Sequence, residues 1–250
     1  MEGMEYLYEL SEKLPRCGPG DDGSTRRAFG YIPKPSDKPY ILDIGCGPGM
    51  QTLELARISA GKIIALDNHQ GFLDELARRS KKEGLEQNID IKNMSMLEMD
   101  FKDRTFDIIW AEGALYCMGF ENGLKRCHEL LKDGGYMAVT EIVYLVGDVP
   151  GPVKEFFGAE YPDIKDVGDN IELIQKQDFS LISNFTLPHS SWFDNYYSPV
   201  ERELPTLMEK YKDNKVALDI FEGFKAEIDF YRKYSKFYGY EFFIMRKSTT

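Results

Sequence analysis

The chain has 250 residues, 42% hydrophobic and 29% charged, enough for one α/β domain that buries its own core. A formal net charge of −11 disfavours nucleic acid, whose phosphate backbone would be repelled wherever no basic patch prevails. No apolar run approaches the ~20 residues a membrane helix needs, Met1 opens no signal peptide, and four cysteines lack metal-like spacing, so a cytoplasmic protein with reduced thiols and no metal site is expected.

Residues 1–14 carry helical spacing, with Tyr6, Leu7, Leu10 and Leu14 on one side and Pro15 as the stop. Residues 17–23 are turn-rich, and Ser24 is placed to cap a short helix over 25–31. Pro33, Pro35 and Pro39 lead into a buried strand, 40–44. The turn Gly45-Cys46-Gly47-Pro48-Gly49 follows, and Leu53, Leu55, Ala56 and Ile58 give residues 51–58 a helical period. A strand, a glycine turn and a helix make the front of a βαβ unit, whose helix N-terminus offers free N–H groups to an electron-rich ligand. Glycine suits a turn where a ligand approaches the backbone and a Cβ would collide. The alternation of Gly45, Gly47 and Gly49, with Met at position 50, departs from the G-x-G-x-x-G of dinucleotide sites.

Residues 62–66 read as a second strand ending in Asp67. That carboxylate has two acceptor oxygens and suits a vicinal diol; it is equally placed to cap the helix 71–83, whose run Phe72, Leu73, Leu76, Ala77 is amphipathic. Gly84 is the C-cap, and 89–93 a third strand. Strand four spans 107–111, a helix covers 120–131, a turn 132–136, and strand five 137–144. Residues 147–168 form a proline- and glycine-rich insertion bearing Phe156, Phe157 and Tyr161. A helix over 170–177 and an alternating strand over 179–187 come next, then helices over 200–211 and 214–237, and an aromatic last strand, 238–246.

The strand ending in Asp43-x-Gly45-x-Gly47-x-Gly49 resembles motif I of the class I S-adenosylmethionine-dependent methyltransferases. Phe106-Asp-Ile-Ile-Trp-Ala-Glu-Gly-Ala114 resembles the end of strand four in the small-molecule branch, and Leu130-Leu-Lys-x-Gly-Gly-Tyr136 the motif before strand five. The likeness is nearest to the ubiquinone/menaquinone-biosynthesis-like methyltransferases. It implies a Rossmann-like seven-stranded sheet of order 3-2-1-4-5-7-6, strand 7 antiparallel, with helices inserted between strands 6 and 7. One domain, 1–250, is expected: an N-terminal lid over 1–35, a cofactor-binding core over 36–145 and substrate-side insertions over 146–250.

The resemblance further implies S-adenosyl-L-methionine as cofactor, S-adenosyl-L-homocysteine as product, and contacts from Asp43, Gly45, Cys46, Gly47, Gly49, Asp67, Asn68, Ser95, Met96, Leu97, Ala111 and Glu112. Ser95 stands where many members carry an acid, and Glu112-Gly113-Ala114-Leu115 stands where base N-methylating members carry Asp/Asn-Pro-Pro-Tyr. Glu112 has three candidate roles: holding the cofactor's ammonium, acting as base, or capping a helix. Tyr116, Tyr144, Trp192 and Tyr196 are expected to wall the pocket of a small-molecule acceptor, with His189 as its proton acceptor; the aromatics could equally pack the inserted helices. The expected reaction is in-line methyl transfer to that acceptor by a monomer or homodimer with no membrane insertion. The alternatives are a nucleic-acid or protein methyltransferase and a non-catalytic cofactor-binding protein.

Overall fold

The computed structural model describes residues 3–33 and 36–248; Pro35 and the first two residues of the expected N-terminal helix lie outside that range. Helices α1 (Met4–Ser11) and α2 (Asp22–Gly30) precede the sheet. Strand β1 (Tyr40–Ile44) and helix α3 (Met50–Ser59) flank the glycine loop. Then come β2 (Lys62–Asp67), α4 (Gln70–Glu83), β3 (Ile89–Asn93), β4 (Phe106–Glu112), α5 (Phe120–Leu130) and β5 (Leu131–Tyr144).

The proline- and glycine-rich insertion is more ordered than its composition predicts. It holds helix α6 (Gly151–Glu160) and a two-residue strand β6 (Lys165–Asp166) parallel to the end of β5. Pro150 and Pro152 do not break α6: the first is its N-cap and the second falls in its first turn, where no N–H partner is lost. Helix α7 (Val167–Lys176) and β7 (Phe179–Thr186) follow; then α8 (Ser190–Trp192), a π-turn (Phe193–Tyr197), α9 (Ser198–Lys210), α10 (Lys215–Tyr234) and β8 (Tyr238–Lys247).

The sheet order is β3-β2-β1-β4-β5-β8-β7, with β6 added beside β5. Only β8 runs against its neighbours, pairing antiparallel with both β5 and β7. With β8 as the seventh strand, this is the expected order, plus one short strand that the sequence did not betray.

Period-two alternation decides which side chains meet which layer. Leu42 and Ile44 of β1 join Ile109 and Ala111 of β4 on the face covered by Leu124 and Cys127 of α5 and Ile174 of α7. Ile41, Ile108 and Trp110 join the opposite face, against Leu53 and Leu55 of α3, Leu73 and Leu76 of α4 and Ala28 of α2. Both faces are covered, so the central strands are apolar almost throughout. A third core lies beyond the carboxyl end of the sheet, where α1, α6, α9 and α10 enclose Trp192, Tyr197, Phe221 and Tyr231.

Candidate active site

The carboxyl ends of β1, β2 and β4 open onto a cavity of about 320 Å³. The glycine loop forms its floor. Gly47 has φ +52°, a left-handed backbone that L side chains rarely adopt, and a Cβ there would stand 3.7 Å from Cys17 Sγ across the cavity wall. Asp67 fixes the loop: one carboxylate oxygen accepts from Gly47 N at 3.0 Å and the other from His69 N at 3.0 Å. His69 is the N-cap of α4 and the helix has no side-chain cap, so Asp67 braces the residue at that position without capping the helix. Each of its oxygens keeps a further lone pair, and the side chain lines the cavity.

Ser95 is tied locally, accepting from Leu97 N at 3.2 Å and starting a 3-10 turn, Met96–Glu98. That turn presents Met96 and Leu97 to the cavity, and Leu97 is 68% exposed. An exposed leucine beside a cavity offers a flat apolar partner to a ring. Gly45, Cys46 and Asn68 complete the expected lining.

Three expected cofactor residues lie elsewhere. Ala111 is fully buried and packs between β4 and its neighbours. Gly49, φ +89°, starts α3 against α4: a Cβ would overlap Leu76. This third glycine serves helix packing. Asp43 lies beneath the loop, fully buried, accepting from Thr52 Oγ1 at 2.6 Å while its other oxygen has no partner among the described residues. Burial pushes its carboxyl up to about 7, against the opposing Thr52 hydrogen bond.

Glu112 lines the cavity and is held by the protein through three hydrogen bonds. Its carboxylate accepts from Arg16 Nη2, from Thr25 Oγ1 at 2.7 Å and from Trp110 Nε1 at 2.8 Å. Arg16 and Glu112 form a buried ion pair joining the N-terminal segment to β4. Glu112 thus anchors the residues ahead of the sheet while it borders the cavity. Sequence periodicity had no signal for Arg16, which lies in a turn 96 positions away. The segment is held at its other end as well. Gly20 N donates to Ser191 O at 3.0 Å, Asn195 Nδ2 donates to Gly20 O at 3.1 Å, and Ser191 Oγ donates to Asp21. Asp21, not Ser24, caps α2, accepting from Ser24 N at 2.8 Å.

A second cavity, about 290 Å³, adjoins the first. Cys17, Gly18, Pro19, Gly113 and Tyr116 wall both. Beyond them the second cavity is aromatic: Phe156, Phe157, Tyr161, Trp192, Tyr196, Tyr197, Tyr238 and Tyr240. Tyr116, Trp192 and Tyr196 thus lie where a pocket wall was expected. Tyr144 does not; its ring packs edge-on against Phe157, 5.9 Å between centroids, behind the lining. His189 also falls outside. It is exposed, with its ring stacked on Phe193 and Tyr231 at 4.9 and 5.3 Å, so it borders neither cavity. Two carboxylates with no motif to single them out, Glu160 and Glu227, line the aromatic cavity instead. Glu227 had a signal: it sits between Phe224 and Ile228 on the stripe by which α10 packs.

Comparison with known proteins supports the same core. A family model described as "Methyltransferase domain" matches residues 41–135. Sterol 24-C-methyltransferase of Eremothecium gossypii is 33% identical over 104 residues, which cover 41% of this chain and 28% of that enzyme. The match thus spans less than a third of that relative's length. Among solved structures, a methyltransferase of Geobacter sulfurreducens in complex with S-adenosyl-L-homocysteine superposes with TM-score 0.82 at 14% identity, covering 96% of each chain. YjhP of E. coli gives 0.83 at 17% identity, covering 96% of this chain and 98% of its own. At such identities the superpositions speak for the fold. The matched segment runs from β1 into the start of β5, so residues 41–135 are similar to a methyltransferase domain, and the superpositions give the chain the fold of those solved structures.

Proposed function

We propose that this protein transfers a methyl group from S-adenosyl-L-methionine to a small-molecule acceptor, as a cytoplasmic enzyme. The observation that carries the reading is the junction of two unlike cavities at residues 17–19, Gly113 and Tyr116. The first is furnished for a nucleoside: the Gly47 cradle, the Asp67 carboxylate with spare lone pairs for a ribose diol, and the exposed Leu97 beside Met96 for a base. The second is aromatic and fits an acceptor.

Bound S-adenosyl-L-methionine supplies an activated methyl on a sulfonium. The chain's residues then have modest tasks. Asp67 and the loop hold the nucleoside end, while Tyr116 and Gly113 border the passage between the cavities. The aromatic wall excludes water and orients the acceptor, so proximity supplies most of the rate. The residues before α2, pinned through Arg16 and Asp21, serve as a cover over both cavities. Among the described residues no helix is long and apolar enough to cross a membrane.

Calorimetry with S-adenosyl-L-homocysteine and with NADH tests the cofactor, and a metabolite screen with methyl-labelled cofactor tests transfer. Micromolar binding of the homocysteine with label moved to a small molecule is expected. NADH binding without response to the homocysteine would overturn the reading.

A further inference from the structure

We propose that the aromatic cavity recognises a cationic amine and that the methyl acceptor is an amine nitrogen; this deepens the function proposed above and rests on it. Trp192, Tyr196, Tyr197, Tyr238 and Tyr240 surround the space from α8, the π-turn and β8. Their rings are fixed by one another: Trp192 stacks on Tyr231 at 4.0 Å and lies within 5.5 Å of Tyr240. Rigid aromatic faces attract a cation through the ring quadrupole, and do so more strongly once water is excluded.

The charged lining is one-sided. Among the described residues, Glu160 and Glu227 are its only carboxylates, and no Lys, Arg or His side chain lines the cavity. Glu227 accepts from Tyr197 Oη at 2.8 Å and has no ion pair among the described residues. Burial pushes its carboxyl upward, the Tyr197 hydrogen bond opposes this, and Glu160 adds to the rise. A secluded carboxylate without a counter-ion is costly, and either a proton or a cation that joins it relieves the cost. The cavity tyrosines do not hand it a proton, because burial pushes the Tyr196 and Tyr240 hydroxyls well above their ordinary range. The Trp192 Nε1 donor is also buried without a partner, a site for one acceptor atom of the same ligand. An anionic acceptor would meet two carboxylates and no cation; a neutral one would leave Glu227 unpaired.

The transfer balances as follows. The lone pair of the deprotonated amine forms the N–C bond as the S–C bond breaks, and the bonding pair stays on sulfur, giving the neutral thioether. The proton carried by the acceptor nitrogen passes to the Glu227 carboxylate and on to solvent.

Choline, its neutral carbon isostere 3,3-dimethylbutan-1-ol and the anion 3,3-dimethylbutanoate probe the cavity on the full chain, by saturation-transfer NMR with and without S-adenosyl-L-homocysteine. Choline should bind at least about tenfold tighter than either partner, as a partly desolvated cation–π and ion-pair site requires. Glu227→Gln, which keeps the Tyr197 hydrogen bond, should erase that preference and leave affinity for the homocysteine unchanged. Glu160→Gln, at an exposed position, should reduce it less. Equal binding of the neutral isostere, binding of none of the three, or a preference that survives Glu227→Gln would overturn the proposal. Failure of the homocysteine to bind would instead overturn the cofactor reading, and the cation preference is scored separately without it.

Discussion

The two cavities are built in opposite ways. The glycine-loop cavity takes most of its polar groups from the ends of adjacent parallel strands and the turns that follow them, with residues 16–19 as its distant wall. The aromatic cavity is assembled from that same stretch, a 3-10 turn after β4 (Leu115–Met118), α6, α8, the π-turn, α10 and β8. The first is a local device on a rigid sheet, and the second depends on how far-separated elements dock. Substitutions should therefore act crisply in the first and diffusely in the second.

Breaking the local device through its packing should have the largest effect. Gly49→Val combines a left-handed backbone, about 1–2 kcal/mol, with overpacking against Leu76, about 1–3 kcal/mol, so a loss of roughly 2–5 kcal/mol in denaturant unfolding is expected. Gly47→Val, pointing at the cavity, should instead abolish homocysteine binding with less loss of stability; if the two variants behaved alike, the division of labour between these glycines would be wrong.

Next is the joint between the regions. Arg16→Ala strands the buried Glu112 carboxylate, and removing one partner of such a pair costs about 3–5 kcal/mol; the two neutral donors left on Glu112 place this case near the lower figure. Hydrogen exchange should quicken across residues 3–31 and stay unchanged in β1 and β2. In the unsubstituted protein the same segment should slow when S-adenosyl-L-homocysteine binds, if it covers the cleft.

Asp67→Ala sharpens the comparison within the first cavity. Loss of a charge-assisted hydrogen-bond pair costs roughly 1.5–3 kcal/mol, or about ten- to a hundredfold in homocysteine affinity by calorimetry. Unchanged affinity would mean the carboxylate serves only Gly47 and His69.

The remaining prediction is a slope with pH. Asp43 is raised to about 7 when folded, above an unfolded value near 3.9. Between those values the folded state holds the extra proton, so stability falls as pH rises, by at most about 1.4 kcal/mol per pH unit. Asp43→Asn should flatten the thermal-stability profile over roughly pH 4–7. Glu141, also raised to about 7 by burial, contributes a slope of the same sign that remains in the variant.

What the sequence reveals follows the same division. β1 and β3 fall on their predicted bounds; for β1 a buried strand between proline and glycine punctuation has few alternatives. The Gly45–Gly47 cradle and Asp67 are legible for that reason. The roles of Gly49 and Ala111 are not, since a motif gives positions but not which way a residue faces. His189 fails for a further reason: closeness in sequence to Trp192 places it next to the cavity without turning its ring inward. Arg16 and Glu227 need tertiary contacts across 96 and 30 positions, which no local period encodes. The insertion hides a helix because prolines at its start read as breakers when their place in the first turn is unknown.

The stretch Cys17-Gly18-Pro19 is a wall common to both cavities. A displacement that admits a ligand to one side removes a boundary from the other, so occupancy of the two sides is thermodynamically linked. Whatever factor an acceptor adds to the affinity for the cofactor, the cofactor must return to the acceptor.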